Sequence, residues 1–227
     1  MKVYVGYDAR EDVAYQVCKH SIISRSPGAE IEPLKLQSLQ DRRIYNRPID
    51  QRASTEFTFT RFLVPFLNGY KGWALFCDCD ILFLRDINDL FAQADDKYAV
   101  MCVKHDYNPE SSIKMDNQVQ TNYPRKNWSS VVLWNCGHPS NMVMGPDIIN
   151  NIMLSGAYFH QFKWLQTREI GEIDTRWNWL AGWYKESDLG KPYAIHYTEG
   201  GPWFENYRKC EYAREWVNEY FEMMVHV

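Results

Sequence analysis

Residues 73–83 read Trp73-Ala-Leu-Phe-Cys77-Asp78-Cys79-Asp80-Ile81-Leu82-Phe83, and this stretch decides the fold. Trp73–Cys77 is an unbroken apolar run of strand length. It is the pattern of a central strand covered on both faces rather than of a strand with one wet side. Open α/β sheets bind their ligands beyond the carboxyl ends of such strands, and Asp78 is the first residue past that end.

Working toward the N-terminus, Lys2–Tyr7 reads as a strand. Glu11–Arg25 carries Val13, Val17, Ile22 and Ile23 at helical spacing and is stopped by Ser26-Pro27-Gly28. Glu30–Leu36 reads as a second strand, and its Pro33 places it at an edge. Residues 37–52 are polar and without period, whereas Ser54–Leu67 is apolar at helical spacing, bent near Pro65 and closed by Asn68-Gly69. Toward the C-terminus, Asp86 can cap a short helix through Ala94, and Tyr98–Val103 and Val131–Trp134 read as strands. Pro146–Leu154 starts as a helix, Tyr193–Tyr197 is a late apolar run, and Cys210–Met224 is an amphipathic helix. This alternation predicts a single α/β domain over 1–227, with a mainly parallel twisted sheet flanked by helices. His105–Asn127 is long and aperiodic, the pattern of a loop that is either functional, such as a lid ordered by donor binding, or disordered.

Composition removes several classes of function. The chain has 227 residues and a formal charge of −4, with both signs interspersed, so no basic stripe exists to follow a nucleic-acid backbone. No run of about 18 apolar residues occurs, and the opening MKVYVGYD is a strand rather than a signal peptide. The expected location is therefore the cytoplasm, and the six cysteines, without a C-x-x-C pair, are expected to be reduced. Fifteen tyrosines, nine tryptophans and eleven phenylalanines suit either an aromatic core or a platform for sugar rings and bases.

Asp78-Cys79-Asp80 carries the chemistry. A D-x-D arises about once by chance in a chain this long, so its position gives it meaning. In an extended segment, residues two apart point to one side, which sets two like charges together beyond a buried strand. Mg²⁺ or Mn²⁺ removes that repulsion, prefers carboxylate oxygens and leaves positions open for phosphate oxygens. Helix capping, the ordinary use of such a residue, suits Asp86 better. His196 closes an apolar run ahead of Glu199-Gly200-Gly201, a turn whose backbone can approach a phosphate closely.

Three segments taken together resemble the nucleotide-sugar glycosyltransferases of the glycogenin and galactosyltransferase group, glycosyltransferase family 8. The first is Val3-Tyr-Val-Gly6-Tyr7-Asp8, and the second is Thr58-Phe-Thr-Arg61-Phe-Leu-Val-Pro65 followed by the Trp73–Asp86 stretch. The third is Ile195-His196-Tyr-Thr-Glu-Gly200-Gly201-Pro202-Trp203, which is similar to the family's late H-x-x-G-x-x-K-P-W. The resemblance implies the nucleotide-diphospho-sugar fold called GT-A, Mn²⁺ (or Mg²⁺) as cofactor, a UDP-sugar donor, a carbohydrate or glycan acceptor, and retention of configuration. It also implies Asp78, Asp80 and His196 as metal ligands, Tyr7 and Asp8 at the base, and Arg61 near the ribose or diphosphate. Gly6, Cys79, Ser130, Asn135, Gly200 and Trp203 complete the donor-binding candidates.

The sequence departs from that pattern in three places. Gly201 stands where the family has lysine, and the histidine-to-tryptophan spacing is one residue shorter, so Lys191, Arg208 and Arg125 become candidates for the missing cation. Trp128-Ser129-Ser130-Val131, continuing to Asn135, stands where the family has N-A-G-V. No D-Q-D precedes Trp177-Asn178, which leaves Asp174 and Glu172 as the nearest candidate catalytic carboxylates. Two rival readings are a haloacid-dehalogenase-like phosphatase, whose D-x-D also ends an apolar strand, and a non-catalytic nucleotide-sugar-binding module. The phosphatase motif normally lies near the N-terminus with a later Gly-Asp pair. The binding module would not need His196 within metal reach of Asp78.

Overall fold

A computed structural model describes residues 1–48, 54–106 and 125–225. Its strands are β1 (Lys2–Gly6), β2 (Glu30–Leu34), β3 (Trp73–Cys77), β4 (Ile81–Phe83), β5 (Val100–Cys102), β6 (Val131–Asn135), β7 (Ile170–Glu172), β8 (Trp179–Leu180) and β9 (Ala194–His196). Its α-helices are α1 (Asp12–Arg25), α2 (Leu36–Asp41), α3 (Val64–Leu67), α4 (Asn88–Phe91), α5 (Pro146–Ile149), α6 (Gly156–His160), α7 (Glu186–Leu189) and α8 (Ala213–Val225). No helix among the described residues is long and apolar enough to cross a membrane.

The main sheet has the order β2-β1-β3-β6-β5-β7. The β2/β1, β1/β3 and β5/β7 pairs are parallel, and β6 runs antiparallel between β3 and β5. The prediction for β3 holds: it is an interior strand, and Ala74 through Cys77 are fully buried. The proline-bearing β2 is the edge strand, as a residue without an N–H requires. A smaller sheet, β4-β9-β8, stands beyond the carboxyl end of β3.

Other expectations change. Residues 54–67 form turns, a 3₁₀ segment over Thr60–Leu63 and only one α-helical turn, α3, because Pro65 interrupts the ladder. The stretch expected to be a loop after Leu36 contains α2. The helix expected over Pro146–Leu154 ends at Ile149. Residues 107–124, most of the expected lid, lie outside the described residues.

Much of the aromatic content is core. Phe62 meets Trp134, Phe159, Phe162 and Trp164 with ring centroids 5.5–6.4 Å apart, mostly edge to face, the geometry that ring quadrupoles favour. Trp177 and Trp179, candidates for a sugar platform, are fully buried, while Trp183 is exposed. A second apolar cluster joins Val17 of α1, Leu82, Ile195, Tyr197 and Trp216 of α8. The buried Glu219 of α8 is bound by His20 Nδ1 at 2.6 Å and Arg25 at 2.8 Å, so α8 is tied to α1 by charge as well as packing.

Candidate active site

The site is built where the two sheets meet. The Asp78 N–H donates to the Ser130 carbonyl at the start of β6, 2.9 Å, which prolongs the β3/β6 ladder by one bond and fixes the first carboxylate. The chain then turns over Cys79 and Asp80 into β4. In the β4/β9 register Ile81 lies opposite His196, and the Tyr197 N–H donates to the Asp80 carbonyl at 3.0 Å. The pairing therefore delivers His196 beside Asp80 from a point over a hundred residues away. One ligand atom from each of Asp78, Asp80 and His196 lies within 4.8 Å of the others. Cys79 alternates to the other side, fully enclosed, and burial pushes its thiol well above the ordinary value.

The histidine is oriented by Asn178. Asn178 donates its amide to the Asn127 carbonyl, 3.2 Å, which leaves its Oδ1 as the acceptor 2.8 Å from His196 Nδ1. Neutral His196 thus carries its proton on Nδ1 and presents the Nε2 lone pair to Asp80 Oδ2, 3.4 Å away. Two acceptors face each other there, an arrangement that a cation between them relieves. Two carboxylates and an imidazole form a donor set suited to a divalent ion.

Arg61 supplies the opposite charge. Its Nη1 lies 2.8 Å from Asp78 Oδ1 and donates to the Ser129 carbonyl at 3.0 Å. The guanidinium carbon is 5.1 Å from the ring centroids of both Phe57 and Phe76. These contacts hold the arginine rigidly, with only 7 % of its side chain exposed. The pocket above it is lined by Glu11, Ser54, Thr55, Phe57, Arg61, Asp78, Asp80, Asn127, His196 and Thr198.

Several predicted residues support this pocket from behind. Gly6 ends β1 against Phe57, whose ring would stand 2.5 Å from any Cβ at that position, so glycine is what allows Phe57 to reach the pocket wall. Asp8 is fully buried and caps the Ala9–Glu11 turn, accepting from Arg10 N at 3.0 Å, from the Arg10 side chain, and from Glu56 N at 3.2 Å. Burial opposes its ionisation, but those hydrogen bonds outweigh burial and hold its carboxyl below the usual range. The Tyr7 hydroxyl donates to Asp12 at 2.8 Å, and the ring packs edge-on against Tyr15. Ser130 is buried at the β6 terminus, and the Gly200 N–H closes a turn onto Tyr197.

Other predicted residues are not brought in. Asn135 pairs with Trp73 at the opposite end of β3 and donates to the Tyr98 carbonyl, because β6 runs antiparallel and carries its last residue away from the site. Asp174 caps the Thr175–Asn178 turn and is chelated by Arg176, 2.9 Å from Nε to Oδ1, a pairing that lowers its pKa. Glu172 is exposed at the end of β7, three strands across from β3, or about 14 Å at the usual strand spacing. Neither carboxylate lines the pocket. Trp203 packs against Tyr197 and Trp216 in the second apolar cluster. Its ring would stand 1.9 Å from a Cβ on Gly201, which explains the missing lysine: the indole occupies the space a side chain would need. Arg125 is turned away to the Gln161 carbonyl at 2.6 Å, and Lys191 and Arg208 are exposed outside the pocket. Among the described residues, Arg61 is the arginine that lines the pocket.

Sequence reading did not single out Glu11, Asn127, Asn178 or Thr198 as site residues. Glu11 is 2 % exposed, and burial, reinforced by the charge of Asp80, pushes its pKa up to about 8. The sign of the resulting pH dependence is fixed. A carboxyl raised from an unfolded value near 4.5 to about 8 holds a proton in the native state that the unfolded chain has released. The stability this provides is complete below the unfolded pKa and is lost as pH rises through about 8. Denaturant titrations in chelator should show wild type losing up to about 1.4 kcal/mol per pH unit relative to Glu11→Gln inside that window. Parallel curves for the two proteins would show that Glu11 titrates normally.

The fold is that of the GT-A type glycosyltransferases. The bifunctional glycosyltransferase WbbM superposes with a TM-score of 0.68 at 14% identity, covering 97% of this chain and 49% of that one. GlyE from Streptococcus pneumoniae TIGR4 gives 0.63 at 14%, covering 96% and 59%. The galactosyltransferase LgtC, solved with donor and acceptor sugar analogs, gives 0.56 at 12%, covering 98% and 96%. This chain therefore spans about half of the WbbM chain and three-fifths of GlyE. No protein-family model matches the sequence. Protein CDI of Arabidopsis thaliana is 52% identical over 222 residues, covering 96% of this chain and 85% of that protein, and the chain belongs to the Protein CDI family.

Proposed function

We propose that this protein is a divalent-cation-dependent glycosyltransferase that moves a sugar, in the first instance a hexose from its UDP donor, to a hydroxyl of a carbohydrate acceptor. The observation that carries the reading is the convergence of Asp78, Asp80 and His196 at the carboxyl end of β3 in a GT-A type fold. The LgtC complex with sugar analogs supports the kind of ligand. The resemblance to glycosyltransferase family 8 favours UDP as the nucleotide, Mn²⁺ as the ion and retention as the outcome.

When bound, the cation supplies Lewis-acid stabilisation of the charge that grows on the leaving diphosphate. The chain's residues prepare the site for it. Asp78 and Asp80 would hold the ion, with His196 Nε2 as a third donor oriented by the Nδ1 contact to Asn178. Arg61, fixed at Asp78 and the Ser129 carbonyl, places a permanent positive charge at the pocket floor where a phosphate oxygen is to be received. Gly6 and Phe57 shape the wall beside the end of β1, next to the turn that Asp8 caps. Asp174 and Glu172, set outside the pocket, leave the group that stabilises the anomeric centre to the donor itself or to the acceptor-side residues.

Release of UDP from a panel of UDP-sugars, with Mn²⁺ and with EDTA, tests the reading. One sugar turned over only with the cation is the expected result. Silence across the panel, together with no rise in melting temperature on adding UDP and Mn²⁺, would return the protein to a binding or phosphatase function.

A further inference from the structure

Glu11 carries a buried carboxyl oxygen with no hydrogen-bond partner among the described residues. It ends the Ala9–Glu11 turn capped by Asp8, immediately before α1, so its backbone is held on both sides. Its side chain is 2 % exposed and lines the pocket, and its Oε2 has no hydrogen-bond partner among the described residues. Buried polar atoms are nearly always satisfied, and leaving one orphaned costs stability without return in the empty protein. Among the described residues no basic side chain forms an ion pair with it, although the charge of Arg10 favours its ionised form. Arg10 is engaged with Asp8, and Arg61 with Asp78 and Ser129. A leucine or methionine at position 11 would pack in the same space without that penalty.

We infer that Glu11 is a ligand-binding residue, a carboxylate acceptor for an O–H group delivered into the floor of the pocket between Asp80 and the Asp8 turn. This rests on the cation and donor reading above and adds a residue to it. A cation held at Asp78 and Asp80 favours the ionised form of Glu11, and an ionised carboxylate only accepts, so in the cation-bound site its partner is a donor and not a phosphate oxygen. Two sources fit that chemistry: a water carried by the divalent ion, since small dications keep several waters, or a ribose hydroxyl of the nucleotide. A third carboxylate beside a cation site also explains how Arg61 is tolerated there, because it restores an anionic excess around the ion.

Three binding measurements on the full chain decide it: Mn²⁺ alone, UDP with Mn²⁺, and 2′,3′-dideoxy-UDP with Mn²⁺, each for wild type, Glu11→Leu and Glu11→Gln. The expected result is at least a tenfold loss of affinity for Glu11→Leu, less for Glu11→Gln, which keeps one acceptor oxygen in place. The melting temperature without ligand should be at or above wild type in at least one variant, since an orphaned group has been removed. Weaker Mn²⁺ binding alone identifies a cation-bound water. Unchanged Mn²⁺ binding with a loss confined to UDP, and not shared by the dideoxy nucleotide, identifies a ribose hydroxyl. Affinities unchanged in all three measurements, an equal loss for both nucleotides with Mn²⁺ binding intact, or a lowered ligand-free melting temperature in both variants overturns the inference. A wild-type protein that binds Mn²⁺ but not UDP sinks the donor reading, while the Mn²⁺ measurement still judges Glu11.

Discussion

Asp80→Ala is expected to abolish cation-dependent sugar transfer, by on the order of 10³-fold, while leaving the protein folded. The carboxylate lies in the turn between the two sheets, and what holds that turn is its backbone: the Asp80 carbonyl accepts from Tyr197, and β4 pairs with β9. Removing the side chain therefore subtracts a metal ligand without subtracting a structural bond of the backbone. It also removes a like charge from beside Glu11. Turnover is read by UDP release, and Mn²⁺ affinity by the same binding measurement used for wild type. Activity that survives the substitution within about tenfold would show that the acidic pair is not what carries the diphosphate charge.

The second large effect is on stability. Arg61→Leu leaves Asp78, 13 % exposed, without the guanidinium at 2.8 Å that balances it in the ligand-free protein. Breaking one side of a largely buried pair costs up to about 3–5 kcal/mol, reduced by the other contacts that Asp78 keeps. The cation should restore much of that loss, since it supplies the missing positive charge at the same carboxylate. Urea denaturation with and without Mn²⁺ separates the two contributions. A deficit that is equal under both conditions would make Arg61 a packing residue of the Phe57 and Phe76 rings rather than a countercharge. The same variant should weaken UDP binding even at saturating Mn²⁺, because the ion cannot occupy the arginine's position at the pocket floor.

What the sequence revealed follows from which forces are local. The β3 strand is legible because a strand buried on both faces must be apolar throughout, and Asp78 then marks its end without ambiguity. The pairing of His196 with that end is not local, and it was reached through a resemblance in motif rather than through periodicity. Strand direction is the clearest failure. Val131–Trp134 reads as a strand, but nothing in its pattern says that it runs against β3, so Ser130 falls beside the site and Asn135 at the far end. Asp174 and Glu172 stand out in the sequence for their position ahead of Trp177-Asn178, but the residue of that segment that meets His196 is Asn178, whose amide oxygen lies 2.8 Å from Nδ1. Glu11 was illegible for a different reason. An acid at the start of a helix is ordinary, since the helix dipole favours it, and only burial distinguishes this one from a solvated cap.

The contact between Gly201 and the Trp203 indole has a consequence for how this family can change. Where the resembling sequences carry a lysine before Pro-Trp, their loop is one residue longer, and here the shorter loop draws the indole over the glycine. A point mutation to lysine meets the ring at once. Trimming the ring first removes its packing against Tyr197 and Trp216. Neither order of substitution offers a gradual path. In this chain a basic residue at that place therefore needs a longer loop as well as a new side chain, and the positive charge beside Asp78 comes from Arg61 on another segment.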